Sequence, residues 1–459
     1  MNQYIKTVIQ PQHRRLLFAF GLYMYFYLEA EILFTIRIGE RLSESIGTVF
    51  YGLFCLAAAI GFFSYAFIRR LIHGMDRPAL LTLAGVGAIS TLSAAYTGAW
   101  QTAVFTLISM LIAGIVGASL LYAMAIRITE KSVLGLFIAL PYAAAFLLQY
   151  ILGYISPIFD GNEPLFWHFT IAAALCAAPF LAPKIVEMPI QKQKTQPGAN
   201  PETRRYLVGV LIAGFIIFCL YGMMDGIIMT LHAGQELNVY GWARLIAIPG
   251  ILFTGWVADF HEGKYFPFAS AVGMTAAIAA VFLFNTEETF NAALGSVYFF
   301  CSFMTMYSLV VFIRVADSTV LPAFWAAAGR GLKYLAGGIF ALTGSLIFSN
   351  TGLLQLALIY LGLMIALYIV LFFQGKLTPV EIVPPQPNIP FEQLVEKYGF
   401  TPRETELLEL LLTGQSTTEI ASKMVLTENT VHKYVSSMIQ KSKSESRAIL
   451  VAKFAGQRK

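Results

Sequence analysis

The sequence predicts an all-α protein in two parts: a polytopic membrane region of twelve transmembrane helices and a small four-helix domain at the C-terminus. Three observations lead to this prediction. The 459 residues are 57% hydrophobic and only 12% charged, whereas ordinary soluble domains carry about 25% charged residues. Apolar stretches of about 20 residues, each long enough to cross a bilayer core, recur before residue 375. After residue 391 the pattern changes to amphipathic helices with polar caps.

The apolar stretches predict twelve spans. Their approximate limits are 16–36, 46–68, 78–97, 101–126, 133–156, 165–182, 206–230, 241–258, 265–284, 290–313, 331–349 and 353–374. The longest polar interruption, at 183–205, divides the membrane region 1–374 into halves 1–182 and 206–374. Such a six-plus-six layout is typical of membrane folds built from repeats. The N-terminal sequence shows no cleaved signal peptide, so the first span is expected to direct insertion.

Lysine and arginine are distributed unevenly between the two sides of this arrangement. If the N-terminus is cytoplasmic, the cytoplasmic side carries 18 Lys and Arg residues before the C-terminal domain, against three on the other side. The count includes Arg330 and Lys333, which lie beside the predicted start of the eleventh span. The positive-inside rule then predicts a multi-pass protein of the cytoplasmic membrane with both termini in the cytoplasm.

One loop carries a family signature. The segment after the eighth span reads GWVADFHEGKY, 255–265. It is similar to a cytoplasmic loop motif of the major facilitator superfamily, with Phe260 in place of a basic residue and an insertion that shifts the turn by one position. The matching residues are Gly255, Asp259, Gly263 and Lys264. With the six-plus-six layout, the membrane region resembles that superfamily, which implies its fold and carries little information about transport.

Polar and ionisable side chains inside the spans are costly in lipid and usually face a cavity or a partner. Five are candidate binding residues for an unknown small-molecule ligand between the two halves: Tyr25, Glu29, Glu31, Gln149 and Asp225. Because residues two apart differ by about 200° around a helix, the two glutamates are not expected to share one cavity. Structural ion pairs and satisfied polar contacts are the alternative for these residues and for His168, Arg244 and Lys333.

The four cysteines all fall within apolar stretches and have no CxxC spacing, which is typical of small core residues. No metal-ligand spacing, phosphate-binding loop or nucleophile–base pair stands out in the sequence. We therefore expect no metal, no cofactor and no enzymatic activity.

A proline-rich segment, GKLTPVEIVPPQPNIP at 375–390, follows the last span. Its composition favours an extended polyproline II conformation and predicts a semi-rigid linker. The domain after it, 391–459, opens with Thr401, Pro402 and Glu404, which form a capping box with proline at the first helical position. A leucine stripe follows, and Gly414 is expected to end this helix.

Two further caps predict a second and a third helix. Ser416 with Glu419 is a second capping box, and Thr427 precedes a helix whose buried stripe is Val431, Val435 and Met438. A fourth helix is expected near 445–454. Two short helices joined by a tight connection, the second with a polar outward face, form a helix-turn-helix whose outward side chains enter the major groove of double-stranded DNA.

The candidate DNA-binding residues are Thr427, Asn429, Thr430, His432, Lys433, Ser436, Ser437, Gln440 and Lys441. From Lys423 to the end, eight Lys and Arg residues stand against two glutamates. This excess of positive charge suits phosphate contact and predicts salt-sensitive binding. A helical bundle that binds protein is the alternative.

The C-terminal domain resembles the LuxR-type (NarL/FixJ-like) helix-turn-helix domain over about 396–455. The matching residues are Thr401, Arg403, Glu404, Glu406, Leu408, Gly414, Ser416, Glu419, Ile420, Ala421, Thr430, Val431, Lys441 and Arg447. The resemblance implies base contacts from the third helix at His432, Lys433 and Ser436, and a homodimer on DNA. This sequence departs from the family at Tyr434, Ser442 and Ser444, and has His432 and Ser436 where lysine is frequent.

These features together predict a membrane-anchored one-component transcriptional regulator of bacteria, which senses a small molecule through its membrane region. The sequence leaves two alternatives open. One is a major-facilitator-type transporter with a regulatory DNA-binding tail. The other is a passive membrane anchor that holds a constitutive DNA binder.

Overall fold

The computed structural model describes residues 11–71, 77–128, 130–155, 163–182, 201–233, 242–283, 290–317, 319, 321–350, 353–376, 391, 395–396, 398–412, 415, 417–442, 450 and 454. The chain divides into two compact units, Met1–Val380 and Glu381–Lys459. Several predictions lie outside the described residues, namely those for 183–200 of the central loop, 377–390 of the proline-rich segment, Gly414, Ser416 and most of the fourth C-terminal helix.

The first half of the membrane unit consists of six helices. They are α1 (Pro11–Arg41), α2 (Glu44–Leu71), α3 (Arg77–Tyr96), α4 (Ala99–Arg127), α5 (Leu134–Ile155) and α6 (Glu163–Leu181). In the second half are α7 (Pro201–Ala233), α8 (Ala247–Asp259), α9 (Phe266–Leu283), α10 (Phe290–Met306), α11 (Pro322–Asn350) and α12 (Leu353–Lys376). Each predicted span overlaps one of these helices.

In the described part of the chain, nine of these helices are long and apolar enough to cross a membrane. Helix α8 is preceded by a 3-10 turn, Trp242–Ile246, and α10 continues through a π turn, Tyr307–Val311, into Phe312–Ala316. The fold is therefore a polytopic helical membrane unit, and twelve spans are compatible with it.

The start of α11 corrects the prediction. The eleventh span was expected to begin at 331, whereas α11 begins at Pro322. Arg330 therefore lies about 12 Å along the helix at 1.5 Å per residue, and it is 1% exposed. Lys333 is half-buried one turn further on. Both cations were counted on the cytoplasmic side, Arg330 just before the predicted span and Lys333 near its start; because both lie well inside α11, they are left out of the count below. The remaining count is 18 − 2 = 16 against three.

Glycine pairs allow the closest helix crossings. A Cβ at Gly61 of α2 would collide with Leu111 O and lie 2.9 Å from Gly114 Cα of α4. Between the halves, a Cβ at Gly135 of α5 would collide with Gly255 O of α8. The two halves meet along α5–α8 and along α2–α11, and α11 also packs against α7. Small residues at these crossings let the helix backbones approach, as in other membrane helix pairs.

The C-terminal unit contains α13 (Pro402–Leu412), α14 (Thr417–Met424) and α15 (Glu428–Ser442). It has its own hydrophobic core, formed by Phe391, Phe400, Leu407, Leu408, Leu411, Ile420, Ala421, Met424, Val431, Val435, Met438, Leu450 and Phe454. The predicted apolar stripes of the first three helices are thus confirmed, apart from Leu412, which is half-buried. Leu450 and Phe454 belong to the predicted fourth helix and lie in the same core.

We expect Gly61→Val to destabilise the membrane unit by about 1–3 kcal/mol or more, because the added side chain overpacks a contact between rigid backbones. The measurement is the thermal unfolding temperature of the full chain in lipid nanodiscs. Gly85→Val in α3 is the matched control, since a Cβ at Gly85 meets nothing within 4 Å. Equal unfolding temperatures for the two variants would contradict the close α2–α4 crossing.

Candidate nucleic-acid interface and polar clusters of the membrane unit

The predicted capping box at the start of α13 is present. Glu404 N–H donates to Thr401 Oγ1 at 3.3 Å, and Thr401 N–H donates to Glu404 Oε2 at 2.8 Å. Two backbone donors that the first helical turn leaves open are satisfied in this way. The cap also fixes the Glu404 side chain, which is buried, so that its second oxygen faces α15.

Glu404 joins α13 to α15. Its Oε1 accepts a hydrogen bond from Ser437 Oγ at 2.7 Å, and Lys441 Nζ lies 2.7 Å from its Oε2. Burial alone would raise the pKa of Glu404, but the hydrogen bonds from Lys441, Thr401 and Ser437 dominate and lower it to about 2. The carboxylate is therefore ionised at neutral pH and holds the two helices together.

The turn between α14 and α15 is tight. Leu426 N–H donates to Ala421 O at 2.9 Å, and Thr427 Oγ1 accepts from Thr430 N–H at 3.3 Å, which confirms Thr427 as the cap of α15. Val425 in this turn has a φ of 54° and is 89% exposed. A β-branched residue rarely adopts this left-handed conformation, so the turn geometry is imposed by the helices that it connects.

The candidate DNA-binding residues fall into two groups. Most of them lie on the exposed side of the helix cap and of α15, namely Thr427, Asn429, His432, Lys433, Ser436 and Gln440. The hydroxyl of Thr430, which is half-buried, lies 2.8 Å from Thr427 Oγ1. Ser437 and Lys441 instead contact Glu404, as described above. The exposed face of α15 whose side chains have no partner in α13 is therefore centred on His432, Lys433 and Ser436.

In the membrane unit, the five candidate ligand residues occupy three separate places. Tyr25 Oη lies 2.8 Å from Thr170 Oγ1 of α6, beside an apolar groove of about 280 Å³. Gln149 Nε2 of α5 donates to Glu29 Oε2 at 2.6 Å and to Leu28 O at 3.1 Å. The expectation that the two glutamates of α1 do not share a cavity is confirmed, because Glu31 has a different set of neighbours.

Glu31 and Asp225 lie in a polar region between the halves. Asp225 Oδ2 accepts from Tyr51 Oη at 2.8 Å, and Asp225 Oδ1 accepts from Tyr221 Oη at 3.2 Å. Because Tyr51 belongs to α2 and Asp225 to α7, this contact joins the two halves. Glu31 Oε1 is buried and has no hydrogen-bond partner.

Sequence reasoning missed Arg330 and Tyr334 of α11, which line the same polar region. Arg330 Nη2 donates to Tyr334 Oη at 3.1 Å, and its guanidinium lies over the ring of Tyr27. The available signal was the pair of cations in the segment WAAAGRGLKYLAGG, 325–338. A span that begins nine residues earlier than predicted, at Pro322, would have included Arg330 as well as Lys333, which the predicted span already contained.

A second inter-half contact, which we call the Asp259 clamp, lies at the end of α8. The Asp259 carboxylate accepts hydrogen bonds from Gly135 N–H at 2.6 Å and from Leu136 N–H at 2.8 Å, both at the start of α5. Arg314 Nη2 is 3.7 Å from Asp259 Oδ1. The N-terminal end of a helix favours negative charge, so the aspartate of the loop motif ties the second half to the first.

The Asp259 clamp continues through Lys131 and Asp317. Arg314 Nη2 donates to Lys131 O at 3.2 Å, and Lys131 Nζ lies 2.8 Å from Asp317 Oδ2. Burial raises the pKa of Asp317 above its usual value, while Lys131 lowers it. The loop before α5 and the segment after α10 are therefore joined by charge as well as by hydrogen bonds.

The described residues contain no cluster of three or more His, Cys, Asp or Glu side chains arranged to hold a metal ion. Cys55, Cys219 and Cys301 are buried thiols, and Cys176 is a half-buried one. Their predicted role as small core residues is confirmed.

Comparison with known proteins agrees with this division. Residues 399–454 match the family model for bacterial regulatory proteins of the luxR family. A search of curated proteins gave no match. Among solved structures, the human organic anion transporter MFSD10 (TETRAN) is similar at a TM-score of 0.53 and 14% identity, covering 79% of this chain and 100% of that one.

Two structures of the major facilitator proton:xylose symporter XylE are also similar. The complex with 6-bromo-6-deoxy-D-glucose has a TM-score of 0.56 and 14% identity, covering 82% of this chain and 96% of that chain. A double-tryptophan variant has a TM-score of 0.57 and 14% identity, covering 80% and 96%. At such identities the likeness shows the fold alone.

The C-terminal unit therefore contains a LuxR-family helix-turn-helix domain, and the membrane unit has the major-facilitator fold. The chain is a multi-pass membrane protein that carries a DNA-binding domain of a transcription-regulator family. Both resemblances identified in the sequence are confirmed.

We expect the helix-turn-helix domain to lose stability as the pH falls from about 4.5 toward 2, because the pKa of Glu404 is depressed in the folded state. The contribution is fully present above the unfolded-state pKa and is about 3 kcal/mol. The measurement is hydrogen exchange of α13 and α15 amides in the full chain, corrected for the intrinsic effect of pH. Glu404→Gln should show the loss already at pH 7.

The exposed Glu406 of the same helix provides the control, since Glu406→Gln should exchange like the wild type. If Glu404→Gln exchanged like the wild type at pH 7, Glu404 would not hold α13 to α15.

Proposed function

We propose that this chain is a membrane-anchored one-component transcriptional regulator, in which the membrane unit senses a small molecule and controls a sequence-specific DNA-binding module. The observation that carries the proposal is one polypeptide with both a major-facilitator fold and a LuxR-family domain. Neither likeness is to a catalytic family, and the proposal involves no enzymatic step.

The exposed face of α15 supports DNA binding. Its core side is filled by Val431, Val435 and Met438, so the helix is fixed while His432 and Lys433 point outward. In helix-turn-helix proteins such a helix lies in the major groove, and positive charge gives affinity for phosphate. Lysine is frequent where this chain has His432 and Ser436, so we infer that two copies of the domain act together on DNA.

The orientation of the chain in the membrane follows from its charges. After the correction at α11, 16 Lys and Arg residues stand on one side against three on the other. The positive-inside rule assigns the richer side to the cytoplasm of a bacterial inner membrane. Both termini and the DNA-binding module then lie where DNA is accessible.

The Asp259 clamp supports a route from ligand to DNA. It closes the side of the membrane unit that carries Lys131, Lys264 and Arg314, which the charge bias assigns to the cytoplasm. A ligand bound between the halves would change their relative packing, and the clamp is the contact on that side that must change with it. An allosteric effect needs two such states with different ligand affinity.

A transporter with a regulatory tail is the second candidate function. The fold is shared with XylE, a proton:xylose symporter, and with MFSD10, an organic anion transporter. Asp225 in the polar region between the halves is the group whose loss would abolish coupled transport. Uptake into proteoliposomes that requires Asp225, without any effect of deletion on transcripts, would favour the transporter.

His432→Ala and Lys433→Ala should each weaken DNA binding by about 1–3 kcal/mol, or roughly 5- to 150-fold. The measurement is the affinity of the full chain in nanodiscs for the DNA sequence that it selects from a random library. Lys433→Ala should also reduce the slope of log affinity against log salt concentration by about one, because one fewer counterion is released on binding. Glu406→Gln is the control and should bind as the wild type does. Absence of any selected sequence at low salt would contradict DNA binding.

Asp259→Asn should alter the basal output of a reporter gene under the selected operator, because it weakens charge-assisted hydrogen bonds between the halves by about 1.5–3 kcal/mol. Glu262→Gln is the matched control, since Glu262 is exposed in the turn that follows. An unchanged reporter signal at equal protein level would show that the Asp259 clamp plays no part in signalling.

A further inference from the structure

Arg330 is a buried charge with unfilled hydrogen-bond capacity. Its side chain is 1% exposed, and one of its amino groups, Nη2, donates to the Tyr334 hydroxyl at 3.1 Å. Two other donor atoms, Nε and Nη1, are buried without a hydrogen-bond partner. An arginine carries five N–H donors and cannot be deprotonated in a protein. The guanidinium therefore remains charged and is only partly satisfied.

Aromatic rings from both halves surround this guanidinium. Its Cζ lies 5.7 Å from the ring centroid of Tyr27 in α1 and 5.1 Å from that of Tyr334 in α11. The rings of Tyr27 and Tyr334 are 5.1 Å apart, and Phe62 of α2 stacks on Tyr334 at 5.8 Å with an interplanar angle of 9°. We call Arg330, Tyr27, Tyr334 and Phe62 the Arg330 cluster.

Aromatic contacts alone do not balance the burial of this charge. A cation over a desolvated ring gains about 2 kcal/mol, whereas an unpaired buried ion costs several kcal/mol after relaxation. No ion pair joins Arg330 to a carboxylate in the described part of the chain, in contrast to Lys131 and Lys441, which have Asp317 and Glu404. The Arg330 cluster thus lacks a carboxylate within ion-pair distance of the guanidinium.

Glu31 supplies the complementary feature. Its Oε1 is also buried without a hydrogen-bond partner, and its charge acts on Arg330, Tyr334 and Tyr27. Glu31 lies one helical turn after Tyr27 on α1, so the two side chains share a face. The region next to the Arg330 cluster therefore offers open donors on α11 and an open acceptor on α1.

The neighbouring polar groups have partners. Asp225 accepts hydrogen bonds from Tyr51 and Tyr221. The Lys333 ammonium lies over the rings of Tyr221 at 5.3 Å and Tyr334 at 5.0 Å. Asp225 thus has two hydrogen-bond partners and Lys333 two aromatic rings, whereas Arg330 Nε and Nη1 have no hydrogen-bond acceptor.

We propose that the Arg330 cluster binds a small organic carboxylate with a flat body and a hydrogen-bond donor at its other end. The carboxylate takes the open N–H groups of Arg330, the flat body lies against Tyr27 and Tyr334, and the donor group reaches Glu31. Guanidinium and carboxylate match in geometry, and charge-assisted pairs of this kind are strong. The inference rests on the proposed function, because it names the ligand class that the membrane unit senses.

Ligand binding at this position acts on both halves. Tyr27 and Glu31 belong to α1 of the first half, and Arg330 and Tyr334 belong to α11 of the second. The rings now cover the guanidinium, so a carboxylate enters only when α11 shifts against α1 and α2. The same site thereby links occupancy to the packing of the halves.

The test is a thermal-shift titration of the full chain in lipid nanodiscs with four probes. These are para-hydroxybenzoate, which has carboxylate, ring and donor; benzoate, which lacks the donor; para-hydroxybenzamide, which is neutral; and tyramine, which is cationic. We expect stabilisation by para-hydroxybenzoate, a weaker effect of benzoate, and none from the amide or the amine.

The variants assign the effect to residues. Arg330→Gln should weaken para-hydroxybenzoate binding about 10- to 100-fold, as for loss of a charge-assisted hydrogen bond. Arg330→Lys, which keeps the charge and loses the planar fork, guards against misfolding of the neutral variant. In Glu31→Gln, para-hydroxybenzoate and benzoate should stabilise the protein to the same extent. The control Lys264→Gln, at an exposed cation that contacts no member of the Arg330 cluster, should retain the response.

Three outcomes would overturn the proposal: no stabilisation by either carboxylate, equal stabilisation of the wild type and both Arg330 variants, or a larger effect of tyramine than of para-hydroxybenzoate. The titration does not depend on DNA. If neither carboxylate stabilises the protein but a DNA sequence is still selected, the ligand class is wrong and the proposed regulator stands. If a carboxylate stabilises the protein but no DNA sequence is selected, the ligand class stands and the proposed regulator is wrong.

Discussion

The cost of a charge in an apolar membrane interior is the constraint on which the structure of the membrane unit depends. An ionised group there needs a partner of opposite charge or several hydrogen bonds. Glu29 has Gln149, and Asp225 has Tyr51 and Tyr221. Asp259 has the start of α5 and Arg314. Most of these contacts cross between helices, so satisfying each charge also fixes how the helices pack.

Besides the contact between Tyr51 and Asp225, two sites between the halves differ in character, the Asp259 clamp and the Arg330 cluster. The Asp259 clamp is closed, with the carboxylate accepting two backbone hydrogen bonds. The Arg330 cluster has unfilled hydrogen-bond capacity. Its buried guanidinium has donors without acceptors, and the nearby Glu31 has an acceptor without a donor. A ligand that binds the open donors of Arg330 and the open acceptor of Glu31 would strengthen the contact between α11 and α1. It would do so at the expense of the present packing of the aromatic rings. In the regulator that we propose, this balance would be the physical basis for two states of the membrane unit.

The helices were predictable because their signals are local. Apolar length defines a span, and the caps at Thr401 and Thr427 define helix starts from a few neighbouring residues. The polar sites were less predictable because their partners are distant in sequence, as with Gln149 and Glu29 or Arg330 and Tyr27. The same reason explains why Ser437 and Lys441, outward by helical periodicity, are occupied by Glu404 of α13. The start of α11 was predicted too late because Arg330 and Lys333 lower the apolar content of its first turns. Neighbouring helices nevertheless cover this segment.

The central claim is that the membrane unit controls the DNA-binding module. The most direct test replaces residues 1–374 by an unrelated anchor with cytoplasmic termini, keeps 375–459, and maps DNA occupancy across growth conditions beside the wild type. The account predicts that occupancy of the wild type varies with condition while that of the chimera stays constant. A chimera whose occupancy follows the wild type would contradict the claim and leave the membrane unit as a passive anchor.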